Sequence, residues 1–285
     1  MRFYIVDAFA EELFGGNPAG VVILEEGTDF PTNEIMIKTA AELRYSETAF
    51  IKQIGAKVFN IRYFTPVEEV DLCGHATIGS FGALFDAGKI HKGQIYELIS
   101  KAGKLEVEIM EEAVYMDMGK AVDLGSVKDI EELASTLGIE TEDIGLEPKL
   151  ISTGLPDIMV NIKTKEKLMN MEPDFEALSI LSDKLKVVGV HAFTLSEEPG
   201  IRAYCRNFAP LYGIDEEAAT GTSNGALTFY LYKHNIIKKG DVSVFVQGEN
   251  MGRPSKILTI LGNEELIRIK VGGTYKILAK GEIFI

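Results

Sequence analysis

The pattern of apolar and polar positions changes period several times along the chain. "FYIVDAF" and "AGVVIL" are rich in β-branched and aromatic residues and predict two strands, with Gly15, Gly16 and Pro18 turning between them. "PTNEIMIKTAAELRY" shifts to a helical period. Ile35, Met36, Thr39, Ala40 and Leu43 fall on neighbouring stripes, and Thr32 can cap the helix. "SETAFI" and "VFNIRYFTP" return to strand, the second stopped by Pro66. After Gly74, "HATIGSFGALFDAGKI" is apolar on nearly every face, which predicts a buried helix. "KLEVEIM" and "VYMDM" alternate and predict a hairpin around Glu111 and Glu112.

"GKAVDLG" then reads as a crossover, and "SVKDIEELASTLG" as a helix opened by a capping-box-like pair, Ser126 and Asp129. "IMVNI", "VGVHAFTLS" and "IRAYCRNFAP" predict strands, and "PDFEALSILSDKL" a helix starting near Pro173. "TSNGALTFYLYKHNII", from Gly221 onward, predicts a second buried helix. Strands follow at Val242 to Val246, Lys256 to Leu261, Leu266 to Val271 and Tyr275 to Ile285, and Gly272-Gly273 suits a two-residue hairpin turn. The count favours an α+β fold of two mostly antiparallel sheets, each wrapped around one apolar helix.

Three pairs of segments recur in the same order. "GNPAGVV" at Gly16 parallels "GLPDIMV" at Gly154, Arg62-x-Phe64-x-Pro66 parallels Arg206-x-Phe208-x-Pro210, and "CGHAT" parallels "TGTSN". The offsets are 138, 144 and 147 residues. Such an order implies a duplicated chain with two similar half-domains, 1–120 and 121–274, and the strand 275–285 able to return to the first. A cleft between such halves is where a ligand site is expected.

A formal net charge of −14 argues against nucleic acid and anionic membrane surfaces as partners. An anionic substrate must then be held locally, most economically by backbone amides at helix N-termini. No apolar run reaches membrane-spanning length and no signal peptide is read at the N-terminus. With two Cys and no disulfide framework, a cytoplasmic location is expected.

The chemistry-bearing candidates each have a plainer reading. Cys73 and His75 share a Gly-flanked turn, but residues two apart in a tight turn usually point apart, and Cys73 is otherwise a small buried residue. His75 opens an apolar helix as a hydrogen-bond donor or acid, or as a simple cap. No zinc-type ligand spacing is present, so no metal is expected. Glu47 in "YSETAF" is a lone carboxylate between helix and strand. Asp215, Glu216 and Glu217 precede the second buried helix, where carboxylates are favoured electrostatically. One of them facing a cleft would serve as an acid or base. Gly74 and His75, with Gly221, Thr222 and Ser223, offer backbone N–H groups to a carboxylate. Asn17 is a turn residue or a ligand contact, and Ser46, beside Glu47, is a further binding candidate. "GGNPAG" is not a phosphate loop, and no nucleotide cofactor is expected.

"VDAFAEELFGGNPAGVV", "SETAF", "RYFTPVEEVDLCGHATIGS", "FAPLYGIDEEAATGTSNGAL", "QGENMGRPSKI" and the closing "VGGTYKILAKGEIFI" resemble the PhzF-like isomerase family of phenazine biosynthesis. The resemblance implies the diaminopimelate-epimerase fold, with two pseudo-symmetric half-domains each wrapping a sheet around a central helix. It also implies a homodimer and cofactor-free acid/base isomerisation of the kind known for trans-2,3-dihydro-3-hydroxyanthranilate. The family's catalytic Glu falls on Glu47 and its His on His75. The Asp of its Glu-Asp-Pro-x-Thr-Gly-Ser motif falls on Glu217, its Pro on Ala218 and its Ser on Thr222. Those departures leave proton transfer intact and put the known substrate in doubt. The related epimerases use two Cys. Here the second position is Thr220, which weakens an amino-acid epimerase or racemase reading. That reading and a non-catalytic small-molecule binder are the alternatives to an isomerase of a small, cyclic carboxylic acid.

Overall fold

The computed structural model of the protein describes residues 1–111, 113–263 and 267–285. Glu112, named above in a hairpin turn, and Leu266, named as the start of a strand, lie outside the described residues. The chain divides into two compact units, Met1–Asp117 with Gly272–Ile285, and Met118–Val271.

In the first unit, strand Arg2–Ala8 pairs antiparallel with both Asn17–Ile23 and Tyr275–Glu282. Asn17–Ile23 pairs parallel with Thr48–Gly55, which forms a hairpin with Val58–Phe64. Val58–Phe64 pairs parallel with Gln94–Ser100, which continues antiparallel into Gly103–Ile109 and then the strand beginning at Val114. This sheet encloses helix Gly74–Asp86, in which ten residues are buried. Its small residues let the sheet close in. A Cβ at Gly82 would stand 2.5 Å from the ring of Tyr275 in the returning C-terminal strand. Phe81 and Leu84 are fully buried, each contributing about 1.5–3 kcal/mol by leaving water. Phe59, Phe81 and Tyr96 pack their rings at 5.9–6.2 Å.

The second unit runs through the same order of pairings. Lys149–Ser152 forms a hairpin with Pro156–Asn161, which pairs parallel with Gly189–Leu195. Gly189–Leu195 is antiparallel to Ala203–Ala209, which is parallel to Val242–Gln247, itself antiparallel to Ser255–Leu261. Helix Gly221–Lys233 has eleven buried residues and almost no polar face. On the outer side of the sheet, helices Ile130–Thr136 and Phe175–Leu185 cover a core that includes Leu133, Leu178, Val190 and Phe208.

Several local expectations need correction. "GKAVDLG" holds a strand, Val122–Ser126, paired with Lys149–Ser152, so the segment is not a bare crossover. Ser126 ends that strand, and Asp129 alone caps the helix by accepting from the Glu132 N–H at 2.9 Å. Pro18 lies in the strand rather than in the turn. Parallel pairing with the next strand starts only at Gly20, so the missing N–H of Pro18 costs that ladder nothing. Gly272-Gly273 is the end of strand Arg268–Gly273 and makes no two-residue turn. Gly272 is small for another reason, because a Cβ there would meet the Tyr115 ring at 2.4 Å.

Candidate active site

The first cluster is assembled by the turn before helix Gly74–Asp86. Cys73 is the extended N-cap residue, with φ −140° and ψ 115°, so the chain swings abruptly into the helix. The Thr77 hydroxyl donates to the Cys73 carbonyl at 2.7 Å and meets the Tyr63 hydroxyl at 2.5 Å, which pins the turn to strand Val58–Phe64. The swing turns Cys73 and His75 toward each other, with Sγ 3.4 Å from Nδ1 and 3.8 Å from Nε2. The expectation that residues two apart point away from each other therefore fails here. It assumed a flat turn, and the backbone instead bends through the first helical residue.

Two further side chains reach the same imidazole. Asn17 begins a central strand directly after Gly16, whose φ of +66° and position against the Ala8 carbonyl require glycine. The Asn17 side-chain amide lies 3.2 Å from His75 Nδ1. Glu47 stands between the left-handed cap at Arg44 and strand Thr48–Gly55, and the Gly20 N–H is tied to its carbonyl. Its Oε2 lies 3.3 Å from His75 Nε2 without the alignment of a hydrogen bond. With the Asn17 amide donating to Nδ1, the imidazole proton sits on Nε2 and faces the carboxylate. Burial depresses the affinity of His75 for a second proton, and the Glu47 charge opposes that depression. Exposures are 3 % for His75, 9 % for Glu47, 7 % for Cys73 and 5 % for Asn17. A buried carboxylate oxygen without an aligned donor is costly in a merely structural role and is typical of functional sites. The donor atoms of Glu47, Cys73 and His75 all lie within 4.8 Å of one another, a convergence that ligand-spacing rules could not find. Ser46 is half-buried beside Glu47, and Gly74 is the first helical residue.

The second cluster surrounds the start of helix Gly221–Lys233. Glu216 and Glu217, weighed together in the sequence, have separate fates. Glu216 takes both Nε and Nη2 of Arg206 at 2.9 and 2.8 Å, whereas Glu217 accepts the Thr220 hydroxyl. Gln247 donates to the Glu217 carbonyl at 2.7 Å and accepts from the Thr220 N–H and the Asn224 amide. Thr222 is buried, with its carbonyl bonded by the Thr153 hydroxyl at 2.8 Å, and Gly221 is the first helical residue. Ser223 is fully buried and its hydroxyl donates to Asp157.

Asp157 and Gln247 are the residues that sequence reasoning missed. A carboxylate inside "GLPDIMV" breaks an otherwise apolar strand, which was the available signal. Burial lifts the Asp157 carboxyl to about 6, with the Ser223 hydroxyl and the Gly189 backbone pulling the other way. On the neighbouring strand, burial lowers His191 to about 4 against the pull of Asn207 and Asn224.

The recurring Arg-x-Phe-x-Pro motif is a brace. Arg62 clasps Glu69 at 2.8 and 2.7 Å and lies over the Phe64 ring at 5.1 Å. Arg206 clasps Glu216 and lies over the Phe208 ring at 4.9 Å. Each pair fixes the short strand that leads to a buried helix.

The chain is similar to known proteins over nearly its whole length. The family model described as phenazine biosynthesis-like protein matches residues 6–281. An uncharacterized isomerase of Clostridium acetobutylicum is 35% identical, covering 99% of this chain and 97% of its own. The trans-2,3-dihydro-3-hydroxyanthranilate isomerase of Pseudomonas fluorescens is 30% identical, with 99% of both chains covered. The crystal structure of a Bacillus anthracis phenazine biosynthesis protein of the PhzF family superposes with a TM-score of 0.90 at 25% identity, covering 100% of this chain and 99% of that one. This chain is therefore a member of the PhzF-like family of phenazine biosynthesis-like isomerases.

Proposed function

We propose that the protein is a cofactor-independent acid/base isomerase of a small, cyclic carboxylic acid. The observation that carries this reading is the Glu47 carboxylate, buried at 9 % exposure and 3.3 Å from His75 Nε2 without an aligned hydrogen bond. In that state Oε2 is available to take a proton from an activated carbon. The resulting carboxylic acid returns the proton to a different carbon as the double bond moves, so charge and atoms balance. His75 stands 3.3 Å from that Oε2 and is a polar group that meets it in the buried site. The first-turn amides at Gly74 in the first unit, and separately those at Gly221 and Thr222 in the second, suit an anionic carboxylate, since first-turn amides lack intrahelical acceptors. Asn17 and Ser46, in the same unit as Glu47, are further binding residues.

The test is solvent exchange. Small cyclic and amino carboxylates are incubated with the enzyme in D₂O and read by mass spectrometry, with Glu47→Gln and Glu217→Gln in parallel. A mass gain that falls about 10²–10⁴-fold in Glu47→Gln supports the reading. Equal gain in the mutant contradicts it. Loss of optical rotation in an amino acid would instead identify a racemase.

A further inference from the structure

We propose that a cavity in the first unit, at the end of helix Gly74–Asp86 away from His75, binds a small aromatic carboxylate. The cavity has a volume of about 280 Å³, at the lower end of small-molecule sites. Phe85 lines it from the last turn of the helix. Ile109, Met110, Ala113 and Val114 line it where strand Gly103–Ile109 gives way to the next strand, and Tyr275 from the returning C-terminal strand. Phe85 and His75 stand at opposite ends of the helix, roughly 15 Å apart along its axis at 1.5 Å of rise per residue. The cavity is therefore separate from the acid/base cluster, and its ligand does not depend on the function proposed above.

Shape and charge select the ligand. Ile109, Ala113 and Val114 are buried and supply apolar surface, to which Phe85 and Tyr275 add two rings. The Tyr275 ring is held against Gly82, so it is a fixed wall. A planar ring suits such walls, because aromatic rings pair favourably at centroid distances of about 4.5–7 Å. The charged lining is lopsided, with Lys92 and Lys276 against Glu111. That is a local positive excess on a chain of net charge −14. Lys92 is the amine that reaches the apolar surface. Its Nζ lies 6.0 Å from the Phe85 ring centroid and 3.5 Å from the Glu111 carboxylate. An ammonium has three donors, and Glu111, itself 87 % exposed, engages one of them. A ligand with its ring on the apolar surface and its carboxylate on Lys92 satisfies both halves of the lining. No bond is made or broken.

Benzoate is titrated into the full chain labelled with ¹³C-methyl methionine and followed by NMR. The Met110 signal is assigned by its loss in Met110→Leu. The expected result is a saturable movement of that signal with benzoate, and much weaker binding of benzyl alcohol, a ring without charge, and of acetate, a charge without a ring. The affinity read at Met110 should fall about 5-fold in Lys92→Gln and rise about 2-fold in Glu111→Gln, where a competing carboxylate is removed from the amine. Both side chains are exposed, 43 % and 87 %, so neither change threatens the fold. A Met110 signal that stays still, benzyl alcohol bound as tightly as benzoate, or one affinity shared by wild type, Lys92→Gln and Glu111→Gln overturns the site. Benzoate that moves other methionine signals and leaves Met110 in place has bound elsewhere, and that result overturns it too. Deuterium exchange has no part in this readout, so the site and the acid/base reading stand or fall separately.

Discussion

Two buried ionisable residues on adjacent strands push stability in opposite directions with pH. Asp157 titrates at about 6 in the folded chain against 3.8 for the free group. Between those values the folded state holds a proton that the unfolded state has lost, so its contribution falls as pH rises through the window. His191 titrates at about 4 against 6.5. The unfolded state then gains a proton that the folded state refuses, so its contribution is full above 6.5 and is lost as pH falls toward 4. Each shift is about two units, or roughly 3 kcal/mol, and the two slopes largely offset each other. Relative to wild type, the melting temperature of Asp157→Asn should rise more steeply from pH 4 to pH 6, and that of His191→Gln less steeply. Parallel curves for all three proteins would refute the assignment.

At the scale of elements, the two arginine braces do the same job in different surroundings. The Arg206 side chain is 8 % exposed and donates also to the carbonyls of Leu168 and Met171, at 3.1 and 2.8 Å. Arg62 is 24 % exposed and meets Glu69 and Asn33. Breaking a buried pair strands its partner, so Arg206→Met should cost about 3–5 kcal/mol. Arg62→Met should cost about 1 kcal/mol. Chemical denaturation of both variants measures the difference, and equal losses would show that burial does not set the strength of the brace. The Arg-x-Phe-x-Pro repeat was legible in the sequence as a recurrence, but its meaning was not. The glutamate partners lie 7 and 10 residues downstream, and only the folded short strands bring them back.

The long elements were legible for a physical reason. Helices Gly74–Asp86 and Gly221–Lys233 are buried on all faces and so carry no polar stripe, and the amphipathic helix Asn33–Leu43 carries both its stripe and its Thr32 cap. Short strands such as Glu69–Val70 and Ile214–Glu217 were not legible, because so few residues show no period. In the site, Glu47 and His75 were candidates from their residue types and positions, and the roles proposed for them are what the family resemblance implies. The contacts among Asn17, Cys73 and His75 depend on the bend at the N-cap, which residue spacing does not encode.

At the scale of the whole molecule, the last strand belongs to the first unit, and its Tyr275 ring lies against Gly82. Gly82→Ala would drive a methyl into the Tyr275 ring. It should destabilise by about 1–3 kcal/mol, read as a lower melting temperature, despite the better helix propensity of Ala. A gain in stability would contradict this packing. The molecule carries a net charge of −14, yet the proposed substrate is an anion, so capture must come from local amides and not from a general attractive field. The account centres on a single carboxylate. Its most direct test is deuterium incorporation into a cyclic carboxylate by wild type and Glu47→Gln, with both proteins shown to melt alike. Exchange in the wild type that is lost in the mutant is the predicted result. Undiminished exchange in a folded Glu47→Gln protein would contradict it.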